Sequence, residues 1–132
     1  MKLYQDKVFP FLNDLVSQKF VEHRKNLLTT ATGEILEVGF GSGSSLESYP
    51  RSVHSVTGIE PNQGMIARYR QSDMKTHVNK IEIIEGFAES LPFENETFDG
   101  VSSFLTLCSV SNLNKTLSEI KRVLKPGGNL FL

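Results

Sequence analysis

Apolar and amphipathic stretches alternate along the chain in the pattern of strands joined by helices. Four short apolar runs predict strands, and residues 129–132 begin a fifth one at the end of the sequence. The four predicted strands cover residues 34–40, 53–60, 80–86 and 97–104. Helical spacing predicts helices from Pro10 to about Leu28, over 62–74 and over 112–125, with a short helix between the first two strands.

The second and third long helices carry signals for their ends and faces. Asn62 is a candidate N-cap, because an asparagine side chain accepts a hydrogen bond from a backbone N–H of the first turn. The glycines of "PGG" (126–128) are expected to stop the last helix before the fifth strand. The apolar stripe of that helix is expected to be core; it consists of Leu113, Leu117, Ile120 and Leu124.

Alternating strands and helices favour right-handed crossovers, and therefore a doubly wound α/β fold with a parallel sheet and helices on both faces. The length of 132 residues suits a single domain. The sequence stops inside its fifth strand, which would leave the edge of that strand without a partner. We therefore expect further sequence after residue 132, or another chain such as a second copy in a homodimer, to cover this edge.

Composition and charge exclude several classes of partner. Hydrophobic residues make up 39% of the chain, and 14 basic and 15 acidic residues leave a net charge of −1. Such a scattered, balanced charge predicts no nucleic-acid partner and no anionic membrane partner. No apolar run approaches the ~18 residues that cross a bilayer, and the N-terminus does not resemble a signal peptide. The single cysteine, Cys108, fits a reducing compartment, so the cytoplasm is the expected location.

The stretch "EILEVGFGSGSS" (34–45) runs from a predicted strand into glycines at alternate positions. Gly39, Gly41 and Gly43 would permit a sharp turn with bare backbone at the carboxyl end of the strand, where ligands of open α/β sheets bind. A helix beginning near Ser44 would aim its N–H groups at the same place. Alone, the pattern is also compatible with a tight loop packed for steric reasons.

An acidic residue after the second strand favours a nucleoside ligand. Glu60 follows Gly41 by 19 residues, close to the spacing at which a carboxylate accepts both ribose hydroxyls. Ser44 replaces the third glycine of the dinucleotide fingerprint, and Glu37 would repel a pyrophosphate. Glu37 instead suits a cationic ligand such as S-adenosylmethionine, or is a buried carboxylate that pins the loop. An NAD(P)-dependent oxidoreductase remains the alternative that these two residues weaken.

Four ordered motifs resemble those of class I S-adenosylmethionine-dependent methyltransferases, particularly the ubiquinone and menaquinone biosynthesis branch. They are "ILEVGFGSG", "VTGIEPNQGMI", "GFAESLPFENETFDGV" and "RVLKPGG", and the match covers about residues 34–132. Within that group, "YP" (49–50), "VTGIEPN" and "TLCSV" (106–110) look most like methyltransferases of small alkyl thiols. The resemblance implies a Rossmann-like sheet of order 3-2-1-4-5 lacking strands 6 and 7. It also implies one domain, with an N-terminal helical segment (1–30) and a cofactor-binding core (34–132), that is C-terminally incomplete.

The resemblance also implies which residues bind the cofactor. The candidates are Glu37, Gly39, Phe40, Gly41 and Gly43 in the methionine loop, Glu60 at the ribose, Pro61, Asn62 and Met65 beside the adenine, Phe87, Ala88 and Glu89 in the adenine-edge loop, and Phe104 and Leu105 near the methyl group. Members of the family often carry an aspartate where this chain has Phe87. That phenylalanine would then pack on the adenine ring or belong to the core.

Methyl transfer from a sulfonium is an in-line displacement, so it needs positioning more than a catalytic triad. No catalytic residue is assigned. His54 and His77 are expected on the surface, His23 is expected to be solvated on the first helix, and no metal site is predicted. The expected function is a methyltransferase that uses S-adenosylmethionine and a small-molecule acceptor. A non-catalytic module that binds this cofactor is the second alternative.

Overall fold

The computed structural model describes residues 20–104 and 106–132, together with positions 8 and 12, and in these ranges it contains five strands and three α-helices of more than one turn. In chain order the elements are α1 (Val21–Leu27), β1 (Gly33–Val38), β2 (Val53–Glu60), α2 (Gln63–Arg70), β3 (Lys80–Glu85), β4 (Phe98–Ser102), α3 (Leu113–Val123) and β5 (Leu124–Phe131). Two short 3-10 turns cover Leu46–Ser48 and Leu107–Ser109.

All five strands form one parallel sheet in the order β3-β2-β1-β4-β5, which confirms the predicted α/β topology. The central strand is β1, whose Leu36 is in register with Thr57 on one side and Val101 on the other. Its last four residues are all buried. Because both edges of β1 are paired, the loop that follows it lies in the middle of the sheet's carboxyl edge.

The core is divided between the two faces of the sheet. Successive residues of a strand point to opposite faces, so Ile35 belongs to one apolar cluster and Leu36 to the other. The first cluster includes Leu28, which directly follows α1, and receives Tyr69 from α2. The second includes Ile120 from α3. Both faces are therefore covered by helices, as the alternation of strands and helices predicts.

The structure describes the second long helix in full and only the last part of the first. Only Val21–Leu27 of the first predicted helix is seen as α1, and most of the remainder lies outside the described residues. Asn62 caps α2 as predicted, because its Oδ1 accepts the Met65 N–H at 3.0 Å. That helix ends at Arg70 rather than at residue 74, since the Ser72 N–H and hydroxyl both bond the Tyr69 carbonyl and close the last turn.

The predicted core stripe of α3 is confirmed at Ile120, and Leu124 packs against the core, but two of its leucines are wrongly placed. Leu113 and Leu117 are 47% and 39% exposed. The buried face consists of Thr116, Ile120 and Val123, and the Thr116 hydroxyl is satisfied by the Asn112 carbonyl. Helical spacing alone favoured the larger apolar side chains, whereas the sheet is contacted by the neighbouring face of the helix.

The last strand begins earlier than predicted. Leu124 is already extended and pairs with Phe98, so "PGG" lies inside β5 instead of between helix and strand. The register shifts between Phe98 and Gly100, which is where β5 accommodates these residues. β5 forms one edge of the sheet, as predicted. Over the part of the chain that the structure describes, every helix is too short or too polar to traverse a bilayer.

Candidate cofactor site

A cavity of about 290 Å³ opens at the carboxyl edge of the sheet, between the loops that follow β1, β2, β3 and β4. Most residues expected to bind a cofactor line it: Glu37, Gly39, Phe40, Gly41, Glu60, Pro61, Asn62, Met65, Phe87, Ala88, Glu89 and Phe104. Gly43 does not line the cavity, and Leu105 lies outside the described residues. Segments far apart in the sequence are therefore brought to one place.

The three glycines of the loop after β1 all have positive φ angles, of 73°, 63° and 84° for Gly39, Gly41 and Gly43. A side chain at these positions would be strained whatever the space around it. A Cβ at Gly39 would lie 2.1 Å from the Thr106 Oγ1, so this glycine lets the loop after β4 approach. A Cβ at Gly43 would lie 2.7 Å from the Tyr69 ring, so Gly43 permits packing beneath the loop.

No α-helix follows the glycine loop, which corrects the expectation of one beginning near Ser44. The segment contains only the 3-10 turn Leu46–Ser48, because Tyr49 precedes Pro50 and is extended, with a ψ of 134°, which ends the turn. In the glycine loop itself, the Gly41 N–H donates to the Glu60 carboxylate. Contacts between the glycine loop and a ligand would therefore come from side chains and loop backbone, without the N-terminus of a helix.

Glu60, the last residue of β2, is held between two backbone donors. Its Oε2 accepts the Gly41 N–H at 2.8 Å and its Oε1 accepts the Asn62 N–H at 3.0 Å. The carboxylate is 7% exposed and lines the cavity. Burial raises its pKa, while the two backbone hydrogen bonds favour the charged form. Each carboxylate oxygen has a second lone pair, so Glu60 can accept hydroxyl donors from a ligand as well.

Glu37 lies on β1 beneath the glycine loop and is 2% exposed. The Ser45 Oγ is 2.6 Å from both of its oxygens, and the Tyr49 hydroxyl donates to its Oε1 at 2.6 Å. Ser102 on β4 continues this chain, with its Oγ 2.6 Å from the Tyr49 hydroxyl. Burial raises the pKa of Glu37 to about 7, against the opposing effect of these hydrogen bonds and of Arg24. Glu37 thus pins the loop and also faces the cavity.

Arg24 was not anticipated from the sequence, although it lines the same cavity. It belongs to α1 and is 3% exposed. Burial lowers its pKa, and the charges of Glu37 and Glu47 oppose that effect. The sequence spacing could have indicated its burial, because Arg24 lies one helical turn before Leu28 and shares its face of the helix, and Leu28 is fully buried.

The other end of the cavity is mostly apolar. Met65 and Ala88 are buried in its wall, whereas Phe87 is 66% exposed at its rim, which excludes the alternative of a core phenylalanine. Glu89 bridges two loops across the mouth, because its Oε1 accepts the Ser111 N–H at 2.8 Å and the Asn112 N–H at 3.3 Å. Its pKa is held below the usual value, first by its own backbone N–H and further by these two donors.

The histidines are not part of the cavity lining. His23, His54 and His77 are all exposed, as expected, and none lines the cavity. Within the ranges that the structure describes, no group of histidine, cysteine and acidic side chains could hold a metal ion.

Comparison with known proteins places these features in a family. A family model described as a methyltransferase domain matches residues 36–132. The chain belongs to this methyltransferase family. The match confirms the assignment made from the four sequence motifs, namely the methyltransferases that use S-adenosylmethionine, and it decides against the oxidoreductase alternative.

Relatives of this methyltransferase domain act on different acceptors. The chain is 32% identical over 127 residues to a demethylmenaquinone methyltransferase of Renibacterium salmoninarum, covering 91% of this chain and 51% of the relative. It is 32% identical over 105 residues to a thiol S-methyltransferase of Mus musculus, covering 78% of this chain and 43% of the relative. The chain therefore spans about half the length of the curated relatives it matches.

A solved structure supports the fold of the methyltransferase domain. An S-adenosylmethionine-dependent methyltransferase of Thermotoga maritima superposes with a TM-score of 0.71 at 24% identity, covering 97% of this chain and 58% of the other. At this identity the likeness concerns the arrangement of strands and helices.

Proposed function

We propose that this chain binds S-adenosylmethionine in the cavity and transfers the cofactor's methyl group to a small-molecule acceptor. The observation that carries the proposal is the buried carboxylate of Glu60, fixed by the N–H groups of Gly41 and Asn62 at the wall of the cavity. A carboxylate in that position suits the two hydroxyls of a ribose, which would add two charge-assisted hydrogen bonds.

The remaining walls fit the other parts of the same cofactor. Glu37 lies near the glycine loop, where its ionised form, favoured above its pKa of about 7, would stabilise a cationic amino-acid end. Met65, Ala88 and the exposed ring of Phe87 offer apolar surface to an adenine. A volume of about 290 Å³ is close to the lower end of small-molecule sites, roughly 300 Å³. The residues present therefore fit the cofactor.

In this mechanism the chain contributes positioning. When bound, S-adenosylmethionine supplies an electrophilic methyl group whose leaving group departs neutral. The buried residues around the glycine loop hold the donor in one orientation and exclude water, and an in-line approach of the acceptor then lowers the barrier. Phe104 and Leu105 are proposed to lie at the methyl end. A thiol acceptor fits well, because a thiol pKa of about 8.5 leaves part of it ionised at neutral pH without a base.

The proposal extends to the domain organisation, the cellular location and the partner chain of this domain. Residues 1–30 and 34–132 form one domain, supported by the burial of Arg24 and Leu28 against the core. The domain acts in the cytoplasm, supported by the single cysteine and the balanced charge. A second copy pairs with the outer edge of β5, supported by the exposure of Leu130 in that strand. A nucleic-acid partner is not expected.

Calorimetric titration tests the proposal directly. S-adenosylhomocysteine, the demethylated product, should saturate one site per chain, and NAD should give no heat under the same conditions. Saturation by NAD without any response to S-adenosylhomocysteine would overturn it. Transfer of a labelled methyl group from S-adenosylmethionine to a panel of small thiols, phenols and amines then separates an enzyme from a module that only binds the cofactor.

A further inference from the structure

The mouth of the cavity lies between the loop after β3 and the loop after β4. Phe87, Ala88 and Glu89 line it from the first loop, and Val110 and Ser111 line it from the second. Glu89 and Ser111 are 22 positions apart in the sequence, so no local geometry fixes the distance between these two walls. The contacts that join the two loops therefore set the width of the mouth.

Glu89 joins the two loops through its side chain. Its Oε1 accepts the Ser111 N–H at 2.8 Å and the Asn112 N–H at 3.3 Å. Asn112 is the N-cap of α3, because its Oδ1 accepts the Lys115 N–H at 3.0 Å. Hydrogen bonds from backbone N–H groups to an ionised carboxylate are stronger than those between neutral groups. The loop after β3 is thereby attached to the start of α3.

The carboxylate of Glu89 already has its partners within the protein. Its own backbone N–H lowers its pKa most, and the N–H groups of Asn112 and Ser111 and the charge of Lys115 act in the same direction. Backbone donors and the N-terminus of a helix both stabilise an ionised carboxylate. The charged form of Glu89 therefore needs no hydrogen-bond donor from a ligand.

The rest of the loop after β3 is attached to α3 independently of Glu89. The Leu91 N–H donates to the Glu119 carboxylate at 3.2 Å, and the Leu91 carbonyl accepts the Arg122 guanidinium at 3.0 Å. Leu91 also belongs to the buried apolar cluster against which Val110 packs. Loss of the Glu89 hydrogen bonds should therefore loosen the mouth of the cavity while the remainder of the loop stays in place.

We propose that Glu89 is a positioning residue that holds the mouth of the cavity closed over the bound cofactor, and that its carboxylate does not contact the adenine. The inference rests on the proposed binding of S-adenosylmethionine and adds to it what determines the residence time of the cofactor. Opening of loops limits the release of ligands from many enzymes. A loosened mouth should therefore change the dissociation rate more than the association rate.

Surface plasmon resonance with S-adenosylhomocysteine tests the inference. Glu89→Ala should raise the dissociation rate constant about 10-fold, the effect of losing charge-assisted hydrogen bonds, and should change the association rate constant less than about threefold. Glu89→Gln keeps an acceptor oxygen at the same side-chain length, so it should raise the dissociation rate constant by less than Glu89→Ala does. Glu94→Ala removes an exposed acid from the same loop and should change neither rate constant.

A second ligand separates positioning from direct contact with the base. S-inosylhomocysteine carries a carbonyl oxygen where adenine carries its amino group, and a carboxylate cannot accept a hydrogen bond from that oxygen. If Glu89 positions the loops, Glu89→Ala should accelerate the release of both ligands by the same factor. If Glu89 binds the amino group, the substitution should accelerate the release of S-adenosylhomocysteine alone, which would overturn the inference.

Amide hydrogen exchange of the ligand-free chain tests the attachment itself. Glu89→Ala should speed exchange at Ser111 and Asn112 and leave Leu91 unchanged. Faster exchange throughout the sheet would show a general loss of stability and would overturn the local role of Glu89. Unchanged release of S-adenosylhomocysteine from Glu89→Ala would also overturn the inference, while the proposed function would stand. Failure of S-adenosylhomocysteine to bind the unmodified chain would contradict the proposed function, on which the inference rests.

Discussion

Glu60 and Glu85 are in register on adjacent parallel strands, at the carboxyl ends of β2 and β3, but their surroundings are opposite. Glu60 is 7% exposed and receives two backbone N–H groups at the cavity wall. Glu85 is exposed and accepts only the Gln63 side chain among the interactions described for it. Two acids that share a strand position thus differ in burial and hydrogen bonding, because only one of them meets the glycine loop.

The glycine loop provides a prediction about stability. Gly39→Ala should lower the free energy of unfolding by about 3 kcal/mol or more, since it combines backbone strain with a clash against Thr106. Gly127→Ala is the matched control, because Gly127 has a similar φ of 79° but nothing within 4 Å of an added Cβ. It should cost only about 1–2 kcal/mol of strain. If chemical denaturation shows equal losses of unfolding free energy in the two variants, the predicted clash between a Cβ at position 39 and Thr106 is contradicted.

The ionisation of Glu37 provides a prediction about pH. Its pKa rises from 4.5 in the unfolded chain to about 7 in the fold, so between these values the folded state binds the extra proton. Stability contributed by this group is therefore greatest below about pH 4.5 and is lost as the pH rises to 7, by about 3 kcal/mol. Glu37→Gln should flatten that dependence in urea denaturation between pH 5 and pH 8. A slope unchanged by the substitution would show that other groups cause it.

Arg122 provides a prediction about the loop that supports the apolar end of the cavity. Its guanidinium donates to the carbonyls of Phe93 and Leu91 and to the Glu119 carboxylate. Arg122→Ala should lower the free energy of unfolding by about 1–3 kcal/mol, because two loop carbonyls lose their donors. Lys121→Ala removes an exposed cation in the same helical turn and should stay within about 0.5 kcal/mol of the unmodified chain. Similar losses in both variants would contradict the role assigned to Arg122.

The corrected face of α3 is also testable. Ile120→Ala should cost about 2–5 kcal/mol of unfolding free energy, since Ile120 is 2% exposed in the core. Leu117→Ala should cost much less, because Leu117 is 39% exposed. Thermal or chemical denaturation of the two variants decides between this face and the one that the sequence pattern favoured.

The strands were predictable because buried parallel strands consist of short apolar runs. The limits of β2 agree with its pattern at 53–60. Glu60 was predictable because its spacing from Gly41 follows from the geometry of two adjacent strands. The missing helix after the glycine loop was not, since the spacing of Leu46 and Tyr49 also suits a helix.

Charged and exposed residues were harder to place from the sequence. Arg24 was missed because a cation on an amphipathic helix normally faces water, and only the tertiary contacts of α1 reveal its burial. The predicted face of α3 was right at Ile120 and wrong at Leu113 and Leu117, because Thr116 is a weaker apolar signal than either leucine. In each case the packing of one element on another decided what local periodicity left ambiguous.

Affinity for S-adenosylhomocysteine in Glu60→Gln and Glu85→Gln measures the central claim most directly. Loss of the Glu60 charge should weaken binding about 10- to 100-fold, through the charge-assisted hydrogen bonds to the ribose, while the Glu85 variant should bind like the unmodified chain. Circular dichroism of both variants provides the check on folding. A well-folded Glu60→Gln that binds as tightly as Glu85→Gln would contradict the assignment of this cavity as the cofactor site.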